Sequence, residues 1–208
     1  MGRYRNDNME LKKPDFGGVE KLVLKKLKTE LPTGLHYHSV DHTLDVKESV
    51  ERLAEMENIN GHDRILLKTA ALFHDLGFIK TYDGHEKVSA ECARDILPGF
   101  GYSKEDIGQI EGMILATEIP QSPKNQLEKI MADADLDYIG RDDIFLIGQR
   151  LQYEWKLYGK ISTLKEWHEI QLNFLKKHSF FTKAAIKLRE TKKQENIKEI
   201  EKLMCVKK

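Results

Sequence analysis

The stretch Ile65-Leu66-Leu67-Lys68-Thr69-Ala70-Ala71-Leu72-Phe73-His74-Asp75-Leu76-Gly77 decides the fold of this chain. At about 100° per residue, its apolar side chains cover nearly the whole circumference of a helix, which is typical of a helix inside the protein. Gly77 stands where a left-handed cap would end the helix, so His74 and Asp75 fall in the last turn. Two buried polar side chains need a partner, and a cation there is favoured by the negative end of the helix dipole.

A second His-Asp pair, His62-Asp63, follows Gly61 in a polar stretch. Asp63 can act there as the N-cap of the same helix, because its side chain can accept a hydrogen bond from a free backbone N–H. We therefore interpret this second pair as structural.

The composition predicts a soluble protein of one domain, or of one domain with an appendage. The 208 residues are 40% hydrophobic, and 34 Lys and Arg balance 34 Asp and Glu. A net charge of zero gives no overall attraction to long nucleic acid or to an anionic membrane. The N-terminus lacks the apolar run of a signal peptide, and no apolar stretch is long enough to span a membrane. We therefore expect a cytoplasmic protein.

Apolar residues recur with a helical period along most of the chain, and no segment alternates with the period of a strand. The sequence therefore predicts an all-α fold. Residues 1–17 are polar and are expected to form a flexible arm. Residues 181–208 are expected to form an amphipathic helix packed on the domain, with a homodimer contact as the alternative. Helices are predicted at about residues 19–31, 35–58, 61–78, 86–97, 103–117, 127–140, 142–158, 163–177 and 182–202.

Imidazole and carboxylate groups recur at four places and form the ligand mix that suits a divalent ion such as Mn, Fe, Co, Ni, Zn or Mg. His38 and His42 are four residues apart, so on a helix they share one face. In the run from 133 to 137, Asp133 and Asp135 point to nearly opposite sides, and Asp135 is the better inward candidate. The four places are His38 with His42, His74 with Asp75, His85 with Glu86, and Asp133-Ala134-Asp135-Leu136-Asp137.

The ordered set His42, His74-Asp75 and Asp135 resembles the H…HD…D signature of the HD-domain superfamily of metal-dependent phosphohydrolases. The resemblance extends to residues 72–77, 84–86 and 133–140 and covers about residues 19 to 180. It implies a helical bundle over residues 18–180 with a central metal site, in which His42, His74, Asp75 and Asp135 are the ligands. Residues 37–46 also resemble a segment of the cyclic-nucleotide phosphodiesterases. In that branch the histidine four before the first ligand is the general acid, here His38.

The resemblance also implies a reaction on a phosphorylated small molecule, expected to be a nucleotide, as a monoester or a diester. Asp75 or a nearby carboxylate would orient the attacking water, and His38 or His85 would protonate the departing oxygen. Arg141 and His85 are candidate substrate-binding residues, since a guanidinium binds phosphate through two hydrogen bonds. One metal ion is expected, and two remain open because His85 could serve as an additional ligand. Two alternatives are an HD-type di-iron oxygenase and a sensor that binds a nucleotide or metal without turnover.

Overall fold

The computed structural model describes residues 13–205, which form nine α-helices and three short 3-10 helices without any strand in that range. The predicted all-α fold is confirmed. No helix within the described residues is long and apolar enough to cross a membrane. The α-helices are α1 Phe16–Glu30, α2 Val40–Met56, α3 Gly61–Phe73, α4 His85–Ile96, α5 Lys104–Leu115, α6 Gln126–Asp135, α7 Ile144–Leu157, α8 Leu164–Lys177 and α9 Lys183–Cys205. The 3-10 helices are Leu76–Ile79, Leu97–Phe100 and Asp137–Gly140.

Helix α3 lies in the centre of the bundle, as its sequence predicts. It packs against α1, α2, α5 and α6. Its side chains from Leu66 to Phe73 are buried except that of Lys68. The ammonium of Lys68 lies 3.3 Å from a carboxylate oxygen of Glu51 and 4.5 Å from the centre of the Phe16 ring. The apolar circumference of α3 thus forms the core around which the other helices are arranged.

The end of α3 differs from the prediction. His74 is the C-cap residue, and Asp75 leads into the 3-10 helix Leu76–Ile79, so Gly77 does not form a left-handed cap. Glycine is required at 77 for a different reason. A Cβ atom there would lie 2.0 Å from the carbonyl oxygen of His85. The absence of a side chain at Gly77 therefore allows the segment after Asp75 to lie directly against the start of α4.

The predicted capping role of Asp63 is wrong, because Asn60 is the N-cap of α3 and Asp63 lies inside the first turn. His62 nevertheless has a structural partner, since its Nε2 lies 2.5 Å from Asp106 Oδ1. Asp106 in turn forms the capping box of α5 with Ser103. This His-Asp pair therefore joins the start of α3 to the start of α5.

Helix α2 begins later than predicted, because Ser39 caps it with a side chain that accepts a hydrogen bond from the His42 N–H. His38 precedes this cap, so the prediction that His38 and His42 share one helix face is wrong. The extended conformation of Ser39 still brings the two imidazoles together, with ring centres 6.1 Å apart.

Helix α9 packs against α8, α2 and the 3-10 helix Asp137–Gly140. It buries Ala184, Ala185, Ile197 and Ile200 against the rest of the bundle. Residues 1–12 of the predicted arm and 206–208 of the predicted terminal helix lie outside the described residues. The proposed division into an arm, a domain and an appended helix stays a prediction.

Candidate metal centre and adjoining cavity

Three helices bring donor atoms of four side chains close together. His42 comes from the first turn of α2, His74 and Asp75 from the end of α3, and Asp135 from the last turn of α6. His42 Nε2 lies 3.3 Å from His74 Nε2 and 3.4 Å from Asp75 Oδ2. Asp135 Oδ1 lies 3.3 Å from His42 Nε2 and 3.4 Å from His74 Nε2, and His74 Nε2 lies 3.2 Å from Asp75 Oδ2.

These distances fit the ligand shell of a single divalent ion. Donors about 2.0–2.2 Å from an ion are about 3.3–3.6 Å apart at tetrahedral angles and about 2.8–3.1 Å apart at right angles. The five separations, from 3.2 to 3.4 Å, lie between the right-angle value and the tetrahedral value. The donor atoms of His42, His74 and Asp135 all lie within 4.8 Å of one another, which suits three ligands of one ion, and Asp75 Oδ2 lies beside both imidazoles.

The donor atoms also need a positive partner. His74 Nδ1 lies 2.8 Å from the carbonyl oxygen of Ala71, which can only accept, so Nδ1 carries a proton and Nε2 points a lone pair towards the cluster. Asp75 Oδ2 is buried and accepts no hydrogen bond. Buried polar atoms nearly always have a partner, and a cation between these donors would supply it.

The pKa shifts show the same need for positive charge. Burial raises the pKa of Asp135, but the imidazoles of His42 and His74 lower it to about 2. Burial lowers the pKa of His74, yet the Asp75 and Asp135 carboxylates outweigh burial and raise it well above its usual value. Both carboxylates are thus ionised at neutral pH, and without a metal they favour a second proton on His74. A divalent cation would take the place of that proton.

The second oxygen of Asp75 faces a further histidine. Asp75 Oδ1 lies 3.4 Å from His85 Nε2, and His85 Nδ1 lies 3.3 Å from the carbonyl oxygen of Tyr82. The imidazole of His85 stacks on Phe78, with ring centres 3.9 Å apart. Because the close approach at Gly77 fixes the start of α4, the backbone sets the position of His85 beside Asp75.

His38 is held by a buried carboxylate from the opposite side of the site. His38 Nδ1 lies 2.5 Å from Glu154 Oε1, which also accepts a hydrogen bond from the Tyr82 hydroxyl. Glu154 Oε2 accepts hydrogen bonds from the backbone N–H groups of His36, Tyr37 and His38. With Nδ1 bound to Glu154, Nε2 is the atom of His38 that remains for proton exchange.

The other predicted residues of the aspartate run lie away from the cluster. Asp133 accepts hydrogen bonds from the backbone of Phe181 and Thr182. Asp137 pairs with arginines on α2 and α9. Arg141, predicted to bind phosphate, instead forms ion pairs with Asp45 and Asp143 and does not line the cavity beside the cluster.

A cavity of about 240 Å³ opens from the cluster into the space between α7 and α8. At one end it is lined by His38, Asp75, His85 and Asp135. Its other walls are mostly apolar, and no Lys or Arg from residues 13–205 lines it. Further lining side chains include those of Tyr37, Thr117, Leu136, Tyr138, Ile144, Leu151, Trp155, Trp167, Ile170 and Phe174.

Sequence reasoning missed Glu154 and the cavity role of the two tryptophans. Glu154 interrupts an apolar helical stripe that includes Ile147, Leu151 and Tyr158, and a charge in such a stripe is a signal for a buried partner. Trp155 and Trp167 occupy helical positions that suit a core, and from the sequence they look like ordinary packing residues. Only the separation of α7 from α8 shows that they line a cavity.

Comparison with known proteins agrees with this geometry. Residues 39–137 match the family model of the HD domain, a range that includes all four donor residues. No curated protein matches the sequence. A solved structure of a predicted HD superfamily hydrolase from an uncultured Thermotogales bacterium is similar in fold, with a TM-score of 0.61 and 21% identity over 92% of this chain and 92% of that one. The part of the chain from the cap of α2 to just after α6 is therefore similar to the HD domain in sequence, and the whole chain is similar in fold to a predicted HD superfamily hydrolase.

Proposed function

We propose that the protein is a metal-dependent phosphohydrolase that acts on a phosphate ester of a small molecule. His42, His74, Asp75 and Asp135 hold the divalent ion, and the buried, unpartnered Asp75 Oδ2 among three further donors is the observation that carries the proposal. The nitrogen and oxygen donors suit Mn, Fe, Co, Ni, Zn or Mg, and one ion is the number that we expect. Cytoplasmic location, a nucleotide substrate and a homodimer stay predictions.

The remaining residues account for the rest of the reaction. When bound, the ion supplies Lewis acidity, which polarises a phosphoryl oxygen and lowers the pKa of water. Asp75 lines the cavity, and its carboxylate accepts a hydrogen bond from the attacking water. His38 and His85 both line the cavity, and one of the two donates a proton to the departing ester oxygen. The hydrogen bond to Glu154 leaves His38 Nε2 as the donor in that step.

A chromogenic aryl phosphate tests this function. With added Mn²⁺, the wild-type protein should release phosphate, and His74→Ala should reduce kcat/KM by at least about 100-fold, because it removes a ligand. His62→Ala is the matched control, since it changes the histidine of the other His-Asp pair, and it should retain the wild-type rate.

Each other outcome contradicts the proposal. Phosphate release that survives His74→Ala would remove the cluster from the mechanism. Oxygen uptake that requires iron, without phosphate release, would support the oxygenase alternative. Tight Mn²⁺ binding with no turnover of any ester would support the sensor alternative.

A further inference from the structure

The inner part of the cavity is an apolar chamber between α7 and α8. It is continuous with the end of the cavity that holds His38, Asp75 and His85, so a molecule reacting at the donor cluster extends into it. The chamber is lined mostly by apolar side chains, with Gln171 as a polar member; the apolar ones are Ile144, Leu151, Trp155, Trp167, Ile170 and Phe174.

The charges around the cavity limit how many phosphates a substrate can carry. Its lining includes the carboxylates of Asp75, Glu86 and Asp135, and within residues 13–205 it includes no Lys or Arg. The two positive charges of one divalent ion already face the carboxylates of Asp75 and Asp135, so the lining within the described residues has no further cation for a phosphoryl group beyond the one that contacts the ion. A di- or triphosphate would place further negative charge against apolar walls, where an unpaired charge is costly. The lining therefore favours a substrate with one phosphoryl group and an uncharged remainder.

The volume sets the size of that remainder. An apolar cavity of about 150 Å³ holds benzene, and this one measures about 240 Å³. By that ratio the whole cavity accommodates about ten non-hydrogen atoms, and a phosphate at its polar end leaves room for about five or six, the size of one six-membered ring or a short alkyl chain. The edge-to-face arrangement of Trp155 and Trp167, with ring centres 5.7 Å apart, provides aromatic surface in the wall.

We propose that the chamber binds the apolar organic group of the substrate, so that the enzyme hydrolyses phosphate monoesters of apolar alcohols. This inference rests on the proposed function and names its substrate class. In the reaction a water oxygen forms a bond to phosphorus and the ester P–O bond breaks. The departing alkoxide takes a proton from His38 or His85, which gives the alcohol and inorganic phosphate.

A series of n-alkyl phosphates tests the chamber, because ethyl, butyl and hexyl phosphate have nearly the same leaving group and differ in apolar length. We expect kcat/KM to rise about two- to fourfold for each added CH₂, and a nucleoside triphosphate to be a poorer substrate than hexyl phosphate. If kcat/KM did not depend on the length of the alkyl chain, or if the triphosphate were the better substrate, the inference would be overturned.

Substitutions on α7 separate the chamber from the outer surface of the same helix. Leu151→Trp fills the chamber and should reduce the hexyl-to-ethyl ratio of kcat/KM at least tenfold. Leu151→Ala enlarges it and should move the optimum to longer chains, so it tests the same idea if Leu151→Trp fails to fold. Leu146 is 58% exposed on α7, and Leu146→Trp should leave the ratio unchanged. An equal effect of the two Trp substitutions would refute the assignment.

Binding measurements distinguish failure of this inference from failure of the proposed function. Alkylphosphonates cannot be hydrolysed, and their affinity in the presence of Mn²⁺ can be measured by calorimetry. If no ester is hydrolysed but hexylphosphonate binds more tightly than ethylphosphonate, and Leu151→Trp removes the difference, the chamber is supported and the hydrolase is refuted. If esters are hydrolysed and the phosphonates show no dependence on chain length, only the chamber is refuted.

Discussion

Glu154 lies on α7 with none of its side chain exposed, and both of its oxygens face the loop that precedes α2. Burial raises its pKa, but His38 and the backbone N–H groups of the loop lower it below the usual value. Glu154 is therefore a charged group that organises the loop and orients His38. We infer that it is a positioning residue, because it acts through the imidazole and not on the substrate.

Glu154→Gln tests this role at the scale of one residue. The amide cannot accept from every donor that now faces the carboxylate, so the His38 ring loses its fixed orientation. We expect kcat to fall about 10- to 100-fold with little change in KM, measured with the substrate used for the wild-type protein.

A double-mutant cycle distinguishes positioning from a general loss of stability. In a His38→Gln background the further effect of Glu154→Gln on kcat should disappear, because the two residues act as one unit. Glu128 is a matched control, since it is also a buried carboxylate that accepts hydrogen bonds from a loop. Glu128→Gln should lower the melting temperature and leave kcat unchanged. Additive effects of Glu154 and His38 would contradict the assignment.

At the scale of elements, two aspartates on α6 have different tasks although they are two residues apart. Asp135 faces the donor cluster. Asp133 is fully buried and accepts hydrogen bonds from the N–H groups of Phe181 and Thr182 and from the Thr182 hydroxyl, at 2.7–2.9 Å. Asp133 therefore attaches the start of α9 to α6.

Asp133→Ala and Asp135→Ala should consequently separate stability from metal binding. Asp133→Ala leaves three donors without their acceptor and should lower the free energy of unfolding by about 2–4 kcal/mol, while Mn²⁺ still raises the melting temperature. Asp135→Ala should abolish the Mn²⁺-dependent rise. Thermal unfolding with and without Mn²⁺ measures both effects. If Mn²⁺ no longer raised the melting temperature of Asp133→Ala, the separate roles of Asp133 and Asp135 would be contradicted.

The helical elements could be predicted from periodicity, but their ends could not. The predicted helices 61–78 and 127–140 are too long because each passes into a 3-10 helix, Leu76–Ile79 or Asp137–Gly140. The apolar pattern continues from the α-helix into the 3-10 helix, while the backbone hydrogen bonds change from residues four apart to residues three apart. The sequence predicted a left-handed cap at Gly77, and the actual reason for the glycine, the carbonyl of His85, belongs to another element.

Of the four donors that the HD resemblance implied, the structure brings His42, His74 and Asp135 together, with Asp75 beside the two imidazoles. The surroundings were less predictable. Arg141 was expected to face phosphate, but its partner Asp45 lies 96 positions away along the chain. Pairing over such a distance depends on how the helices pack, which a single sequence does not reveal.

At the scale of the whole molecule, stability should depend on pH through His178. This residue follows α8, and both of its ring nitrogens are buried without a hydrogen-bond partner. Burial lowers its pKa to about 4, with a smaller contribution from Lys193, while Glu190 opposes the shift. The folded protein therefore favours the neutral imidazole. The free energy of unfolding is highest above the unfolded pKa of about 6.5, and it declines as the pH falls from there towards 4, because only the unfolded chain gains the proton in that interval.

His178→Phe should remove this dependence. Between pH 7.5 and pH 5 the unfolded wild-type chain gains a proton at this residue that the folded chain does not, which costs about 2 kcal/mol of stability. Urea unfolding at the two pH values should show that loss in the wild-type protein and a loss about 2 kcal/mol smaller in the variant. Identical pH dependence in both proteins would exclude His178 as the source.

The position of the tryptophans has a spectroscopic consequence. The chain contains two tryptophans, and both line the cavity beside the donor cluster. Indole emission depends on the polarity around the ring, so the intrinsic fluorescence of the unlabelled protein originates next to the place where a bound molecule would displace water. A shift in emission wavelength during a titration would therefore report cavity occupancy directly, without a dye or a coupled assay.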